Sequence, residues 1–371
     1  PGDRVVIALP NTIEFVETIW ATFRLGAIPV FALPTHRELE LTQFCALTDA
    51  AALIYANGAA GADHAALLAT LSRNLIERGA APPAMVDVTE WDEQTRAGAA
   101  DATDVPMADA SADQLALLQL SGGTTGVAKL IPRTHADYLY SVRASAEICQ
   151  LGADDVQLVV LPAGHNFAMS SPGILGFWHV GASIVLAPDP SPRTAFKLIG
   201  EAGVTHAALV PPLAQAWVAS AERRPAPLDT LRVVQVGGSK LADSVAPRIE
   251  QVLGARLQQV FGMAEGLVNY TRADDPDAIV HTTQGRPISA HDEVRVVDEQ
   301  DGDVADGVDG ELLTRGPYTI RGYYRAPHAD VECFTEDGFY RTGDIVRRLA
   351  SGHFVVTGRA KEQINRGGEK I

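Results

Sequence analysis

The sequence predicts an α/β protein in which stacked αβ subdomains are followed by a small β subdomain. Three observations carry that expectation. Apolar strand-like runs alternate with helical stretches from residue 5 to residue 253. A glycine-rich loop, Ser121-Gly122-Gly123-Thr124-Thr125-Gly126-Val127-Ala128-Lys129, directly follows an apolar run at 115–120. Beyond Gly285 the pattern shifts to short alternating runs separated by Asp-Gly and Ser-Gly pairs, which is hairpin chemistry.

Residues 5–9 are apolar and read as a strand. Asn11, with Glu14 three residues on, has the form of a helix cap, and Gly26 ends that helix. A second strand at 28–32 completes a β-α-β unit, which implies a parallel sheet. The rhythm continues with a helix at 38–47, a strand at 51–55, a helix at 65–78 and a strand at 84–88. Residues 90–113 are acidic and Ala-rich without a clear period, and read as a surface connection. After the glycine loop come a helix at 138–149 and a strand at 157–161. The most apolar window, 172–188, is broken by His179, Ser183 and three glycines, so a buried helix and strand explain it better than a membrane span. Strands at 207–210 and 233–236 and a helix at 243–253 follow, and then alternating runs at 294–297, 310–314 and 353–356.

A chain of 371 residues is long for one core and predicts several packed subdomains. A formal net charge of −16, with no long basic run, argues against nucleic acid and against an anionic membrane surface. Cys45, Cys149 and Cys333 are odd in number and far apart, with neither metal spacing nor a disulfide framework, so a reducing cytoplasm is the expected location.

The glycine loop is where chemistry concentrates. Adjacent glycines let backbone N–H groups turn inward around a polyphosphate, and two threonine hydroxyls and Lys129 add donors and charge. A Walker phosphate loop needs lysine right after its last glycine and Ser/Thr next, whereas here Lys129 lies three residues past Gly126 and precedes Leu130. The segment instead resembles the signature of adenylate-forming enzymes: acyl- and aryl-CoA synthetases, peptide-synthetase adenylation domains and luciferases. That family usually has proline before the lysine, where this chain has Ala128. The resemblance implies the large N-terminal body of that family, with stacked αβ subdomains and a small β-barrel-like subdomain. It also implies a C-terminal lid that this chain does not include. The expected divisions are 1–113 (first αβ subdomain, front incomplete), 114–284 (second, with phosphate loop and pocket), 285–358 (small β subdomain) and 359–371 (hinge).

Three further groups extend the resemblance in family order. In Phe261-Gly262-Met263-Ala264-Glu265 the matching aromatic lies against adenine with Gly262 beside it, and the glutamate holds magnesium; a hard cation suits a carboxylate and phosphate oxygens. In Tyr340-Arg341-Thr342-Gly343-Asp344 the matching aspartate accepts both ribose hydroxyls. In Gly358-Arg359-Ala360-Lys361 the resemblance places Arg359 at the ribose or phosphates and Lys361 at the hinge. Together with Ser121, Gly122, Gly123, Thr124, Thr125 and Gly126, these residues form the expected ATP site, with Lys129 and Glu265 as its catalytic members.

Gly164-His165-Asn166-Phe167-Ala168-Met169-Ser170-Ser171-Pro172-Gly173 resembles the pocket segment of the aryl-acid branch, the 2,3-dihydroxybenzoate–AMP ligases of siderophore pathways. There the residue matching Asn166 bonds the ring's ortho hydroxyl, and a neutral side chain suits a substrate without an ammonium group. Ser171 and Val268 match positions that separate dihydroxybenzoate from salicylate enzymes. Gly237 and Gly238 are expected at the pocket floor, with His165 as a gate or a core histidine and Phe167 in the wall. The implied reaction converts an aryl acid and ATP, with Mg2+, to aryl-AMP and pyrophosphate, and then loads the phosphopantetheine thiol of an aryl carrier protein. A salicylate–AMP ligase and an aryl-CoA ligase using free coenzyme A are the neighbouring alternatives. A non-catalytic module that binds aryl acid and nucleotide is the alternative of another class.

Overall fold

In the computed structural model the described residues are 1–91, 107–121, 129–224 and 226–360, together with the backbone of two short strands at 365–366 and 369–370. Gly122, Gly123, Thr124, Thr125, Gly126 and Lys361 lie outside them. The chain separates into two compact units, the first made of 1–120, 130–135 and 162–165, the second of 121–129, 136–161 and 166–371.

The first unit is built on a six-stranded sheet: β1 (Arg4–Ala8), β2 (Ile28–Phe31), β3 (Ala52–Tyr55), β4 (Ala84–Asp87), β5 (Leu115–Leu120) and β6 (Leu130–Thr134), in the order β4-β3-β1-β2-β5-β6. The β1-helix-β2 unit pairs in parallel as its sequence rhythm implies, with Val6 opposite Val30. The helix Ile13–Arg24 presents Phe15, Thr18, Ile19 and Thr22 on one buried stripe. Asn11 does not cap that helix: its Oδ1 accepts from the Ala163 N–H at 2.8 Å, and Thr12 at the cap position makes no side-chain bond. Gly26, at φ +65°, does terminate it. β5, the strand before the glycine loop, joins this first sheet, and β6 returns antiparallel to it at the sheet's edge, where Pro132 is tolerated.

The second unit holds a seven-stranded sheet and a four-stranded one. The first has the order β13-β12-β11-β10-β9-β7-β8, from β7 (Val156–Val159), β8 (Ser183–Leu186), β9 (His206–Leu209), β10 (Val233–Val236), β11 (Arg256–Met263), β12 (Leu267–Tyr270) and β13 (Arg286–Pro287). Strands β8, β7, β9, β10 and β11 run parallel, and β12 and β13 are added antiparallel. The apolar window resolves into a helix, Gly173–His179, with Ile174 and Phe177 fully buried, followed by β8. The hairpin-patterned region forms the antiparallel sheet β14 (Glu293–Val297), β15 (Asp309–Arg315), β16 (Tyr340–Arg348) and β17 (Phe354–Arg359). Leu312, Val346 and Phe354 from it pack with Leu267 in one core cluster. No helix among the described residues is long and apolar enough to cross a membrane.

Candidate active site

In doubly wound parallel sheets, ligands bind at the carboxyl ends of the strands. Within the second unit the segments singled out by sequence leave such ends: 166–171 follows β7, Gly237 and Gly238 follow β10, and Gly262 to Glu265 occupies the end of β11 and its turn into β12.

The glycine loop is cinched at its base. Ser121 N–H donates to the Lys129 carbonyl at 2.9 Å, and Lys129 N–H donates to Ser121 Oγ at 3.0 Å. The Lys129 ammonium lies 4.7 Å from the centroid of the Tyr323 ring and donates to Cys333 Sγ at 3.3 Å. Tyr323 turns its hydroxyl to Glu265, donating to Oε1 at 3.0 Å, and stands 3.2 Å from the Tyr340 hydroxyl. Burial first, and the Glu265 carboxylate second, push both phenols well above the usual tyrosine range, so they stay protonated donors. Lys129 and Glu265, 136 positions apart by their numbering, thus converge on one tyrosine. Glu265 is 7% exposed, and its backbone carbonyl accepts from Ile320 N–H at 2.9 Å.

Gly266 at φ +119° makes this turn possible, since a Cβ there would lie 2.1 Å from the Tyr318 carbonyl oxygen. Phe261 is half-buried against the Leu267–Phe354 cluster, and Gly262 stands opposite Val268, whose Cα a side chain at Gly262 would approach to 3.3 Å.

Asp344 and Arg359 are register partners on β16 and β17 and form an ion pair. Asp344 N–H donates to Thr342 Oγ1 at 3.0 Å, and Thr342 Oγ1 donates to the Leu312 carbonyl at 2.9 Å. Arg359 Nε is a buried donor with no partner among the described residues.

The pocket segment opens a short helix, Asn166–Ser170. Asn166 Oδ1 accepts from the Tyr138 hydroxyl at 3.0 Å and from Ser170 Oγ at 3.2 Å. Phe167 lies on Gly237: a Cβ at Gly237 would meet Phe167 Cε1 at 3.1 Å and the Val260 carbonyl at 2.8 Å. Gly237 therefore serves ring packing first, and Gly238, at φ +83°, takes a conformation glycine adopts without cost. Ser171 is buried, and its hydroxyl, like that of Ser145, faces the Tyr270 phenol, which is fully buried and which burial pushes far up. Val268 N–H donates to the Tyr318 hydroxyl at 3.2 Å, which in turn donates to Asp292 Oδ2 at 2.8 Å. His165 falls in the first unit and is half-buried, its N–H donating to the Pro162 carbonyl at 2.9 Å. The residues sequence reasoning missed are Tyr138, Tyr270, Tyr323 and Cys333. None sits in a glycine-rich or charged motif, and only the fold brings them to the site. Tyr340 heads a motif that the sequence does display.

Among the described residues no three His, Cys, Asp or Glu side chains gather as a metal set. The buried carboxylate of Glu265, bonded to a tyrosine that Lys129 also contacts, suits an ion held partly by the phosphates of a nucleotide.

Fold and sequence together define an α/β enzyme body with a glycine-rich segment between β5 and β6. The chain belongs to the AMP-binding enzyme family, whose pattern matches residues 1–324. It is 52% identical, over its whole length and 68% of the relative's, to a 2,3-dihydroxybenzoate-AMP ligase of Bacillus subtilis. It is 49% identical to a salicyl-AMP ligase / salicyl-S-ArCP synthetase of Mycobacterium tuberculosis, covering 100% of this chain and 66% of that protein. The apo structure of MbtA from Mycobacterium smegmatis superposes with a TM-score of 0.89 at 48% identity, across 100% of this chain and 68% of that one. The chain thus spans about two thirds of the length of these relatives.

Proposed function

We propose that the protein activates an aryl acid, 2,3-dihydroxybenzoate, as its adenylate, and then passes the aryl group to the phosphopantetheine thiol of a carrier protein in siderophore assembly. The carrying observation is the convergence of Lys129 and Glu265 on Tyr323, which supports the reading by bringing to one side chain the cation and the carboxylate that a triphosphate and its metal call for. Family membership and relatives near 50% identity that act on hydroxybenzoates support the aryl substrate. Ser171, with a hydroxyl rather than a thiol, favours the dihydroxy acid; salicylate is the second reading, since a salicyl-AMP ligase is nearly as similar.

The carboxylate of the acid attacks the α-phosphate in line, forming the C–O–P bond as the bond to pyrophosphate breaks, so the protein supplies no nucleophile. Its work is positioning and charge neutralisation. Lys129 holds phosphate oxygens, and the orphan N–H of Arg359, beside Asp344, suits the ribose end. Glu265 would hold Mg2+, which neutralises phosphate charge when bound. Asn166 meets the ortho hydroxyl and Val268 bounds the ring. Phe167, Gly237 and Gly238 complete the reading of the pocket, and Lys361 that of the hinge. The three cysteines are free thiols, in keeping with a reducing cytoplasm.

The test is exchange of labelled pyrophosphate into ATP by the full-length protein, with benzoate, salicylate, 2,3-dihydroxybenzoate and several amino acids, followed by thioester formation with carrier protein and with coenzyme A. The expected order is dihydroxybenzoate first, salicylate within about a hundredfold, and amino acids silent. Binding without exchange would instead favour a sequestering module, and preference for coenzyme A an aryl-CoA ligase.

A further inference from the structure

Asn166 can rotate its amide and present either an acceptor oxygen or a donor NH2. A ring carrying a hydroxyl ortho to its carboxylate gives that hydroxyl's hydrogen to the carboxylate, an internal bond within one planar ring. What such a ring offers outward is the lone pair of the phenolic oxygen, so the pocket must answer with a donor. The oxygen of Asn166 is already engaged by two hydroxyls: Tyr138 at 3.0 Å and Ser170 at 3.2 Å. Ser170 Oγ also stands 3.2 Å from the Asn166 backbone carbonyl, the i−4 bond a helical serine commonly makes, so its single hydrogen is shared between two acceptors. The Tyr138 phenol is the stronger anchor. It is 4% exposed and lies on the helix His135–Ile148, where it cannot follow a rotating amide without leaving its packing.

We infer that Tyr138 is a positioning residue for substrate choice: by holding Asn166 Oδ1 it turns the amide NH2 toward the substrate and selects acids with an ortho oxygen acceptor. The inference rests on the aryl-acid reading above. It gives the selection an origin one residue behind the pocket wall, at a side chain that itself need not touch the substrate.

The experiment is pyrophosphate exchange by the full-length protein, with salicylate and benzoate as the pair of acids, in four forms: unsubstituted, Tyr138→Phe, Asn166→Ala and the double variant. Tyr138→Phe is expected to lower the salicylate-over-benzoate ratio of kcat/KM roughly tenfold, chiefly through the KM of salicylate, the loss appropriate to one freed hydrogen bond. In the Asn166→Ala background the same change is expected to leave the ratio where Asn166→Ala alone puts it, because the tyrosine acts through the amide. A purely structural tyrosine would depress both acids together and leave the ratio intact, which overturns the inference. An equal fall in the ratio with and without Asn166 also overturns it. If the unsubstituted protein exchanges with neither acid nor with 2,3-dihydroxybenzoate, the aryl-acid reading itself fails, and that outcome is distinct from the other two.

Discussion

On the proposed reading Lys129 and Glu265 do opposite electrostatic work around Tyr323, and a glutamine at 265 keeps an acceptor for the Tyr323 hydroxyl. Lys129→Ala and Glu265→Gln are expected to lower pyrophosphate exchange by about a hundredfold to a thousandfold each, the cost of one preorganised charge at a reacting phosphate. Their thermal midpoints should stay within about 2 °C of the parent. Near-normal exchange in both would mean that the triphosphate sits elsewhere. Asp292 behaves differently. Burial raises its carboxyl to about 6 from 3.8, Tyr318 and Ser289 N–H donate to Oδ2, and Oδ1 has no partner among the described residues. The neighbouring His291 pulls its carboxyl the other way, downward, with less effect than burial.

Between about pH 4 and pH 6 the folded protein keeps a proton that the unfolded chain has released, so stability falls as pH rises through that window. Asp292→Asn removes the titration while keeping an acceptor for Tyr318. The variant should gain on the order of 1–3 kcal/mol relative to the parent above pH 6 and lose that advantage below pH 4. A difference in unfolding free energy that is flat with pH would contradict this.

At the scale of elements, the sequence is most legible where one period dominates. The β1–helix–β2 unit and three strands of the hairpin sheet follow from alternation and Asp-Gly turns, whereas β16 lies outside the expected runs, and the apolar window divides into helix and strand at its glycines. The helix Pro192–Ala202 is not among the expected elements, although Ser191 caps it by accepting from Thr194 N–H at 3.3 Å, Pro192 stands in its first turn and Gly203 at φ +64° ends it. Nor is β6: Pro132 argues against a strand until the edge position that tolerates it is known. Asn11 shows the same limit, because a cap-competent side chain was claimed by Ala163, far away in sequence.

The turn from β11 to β12 is the element on which the site depends most. Gly266→Ala would drive a Cβ to 2.1 Å from the Tyr318 oxygen and force a side chain to φ +119°. We expect a loss of about 2 kcal/mol or more in denaturant unfolding, together with weaker exchange as Glu265 shifts. An unchanged midpoint would show that the turn relaxes freely.

At the scale of the whole molecule, the proposed site draws on motifs spread from residue 121 to residue 359. The sequence displayed the glycine loop, Glu265, Asp344, Arg359 and Asn166 because each stands in a segment of unusual composition. The tyrosines that orient them stay silent, since a buried phenol beside a carboxylate looks in sequence like any core aromatic. The central claim is that the acid's own carboxylate oxygen becomes bonded to the α-phosphorus of ATP. It is tested most directly by supplying 2,3-dihydroxybenzoate labelled with oxygen-18 in both carboxyl oxygens to the full-length protein with ATP and a thiol acceptor, then weighing the AMP released. The account predicts one oxygen-18 atom in each AMP; AMP of natural isotopic mass, or label appearing in phosphate or pyrophosphate instead, would contradict it.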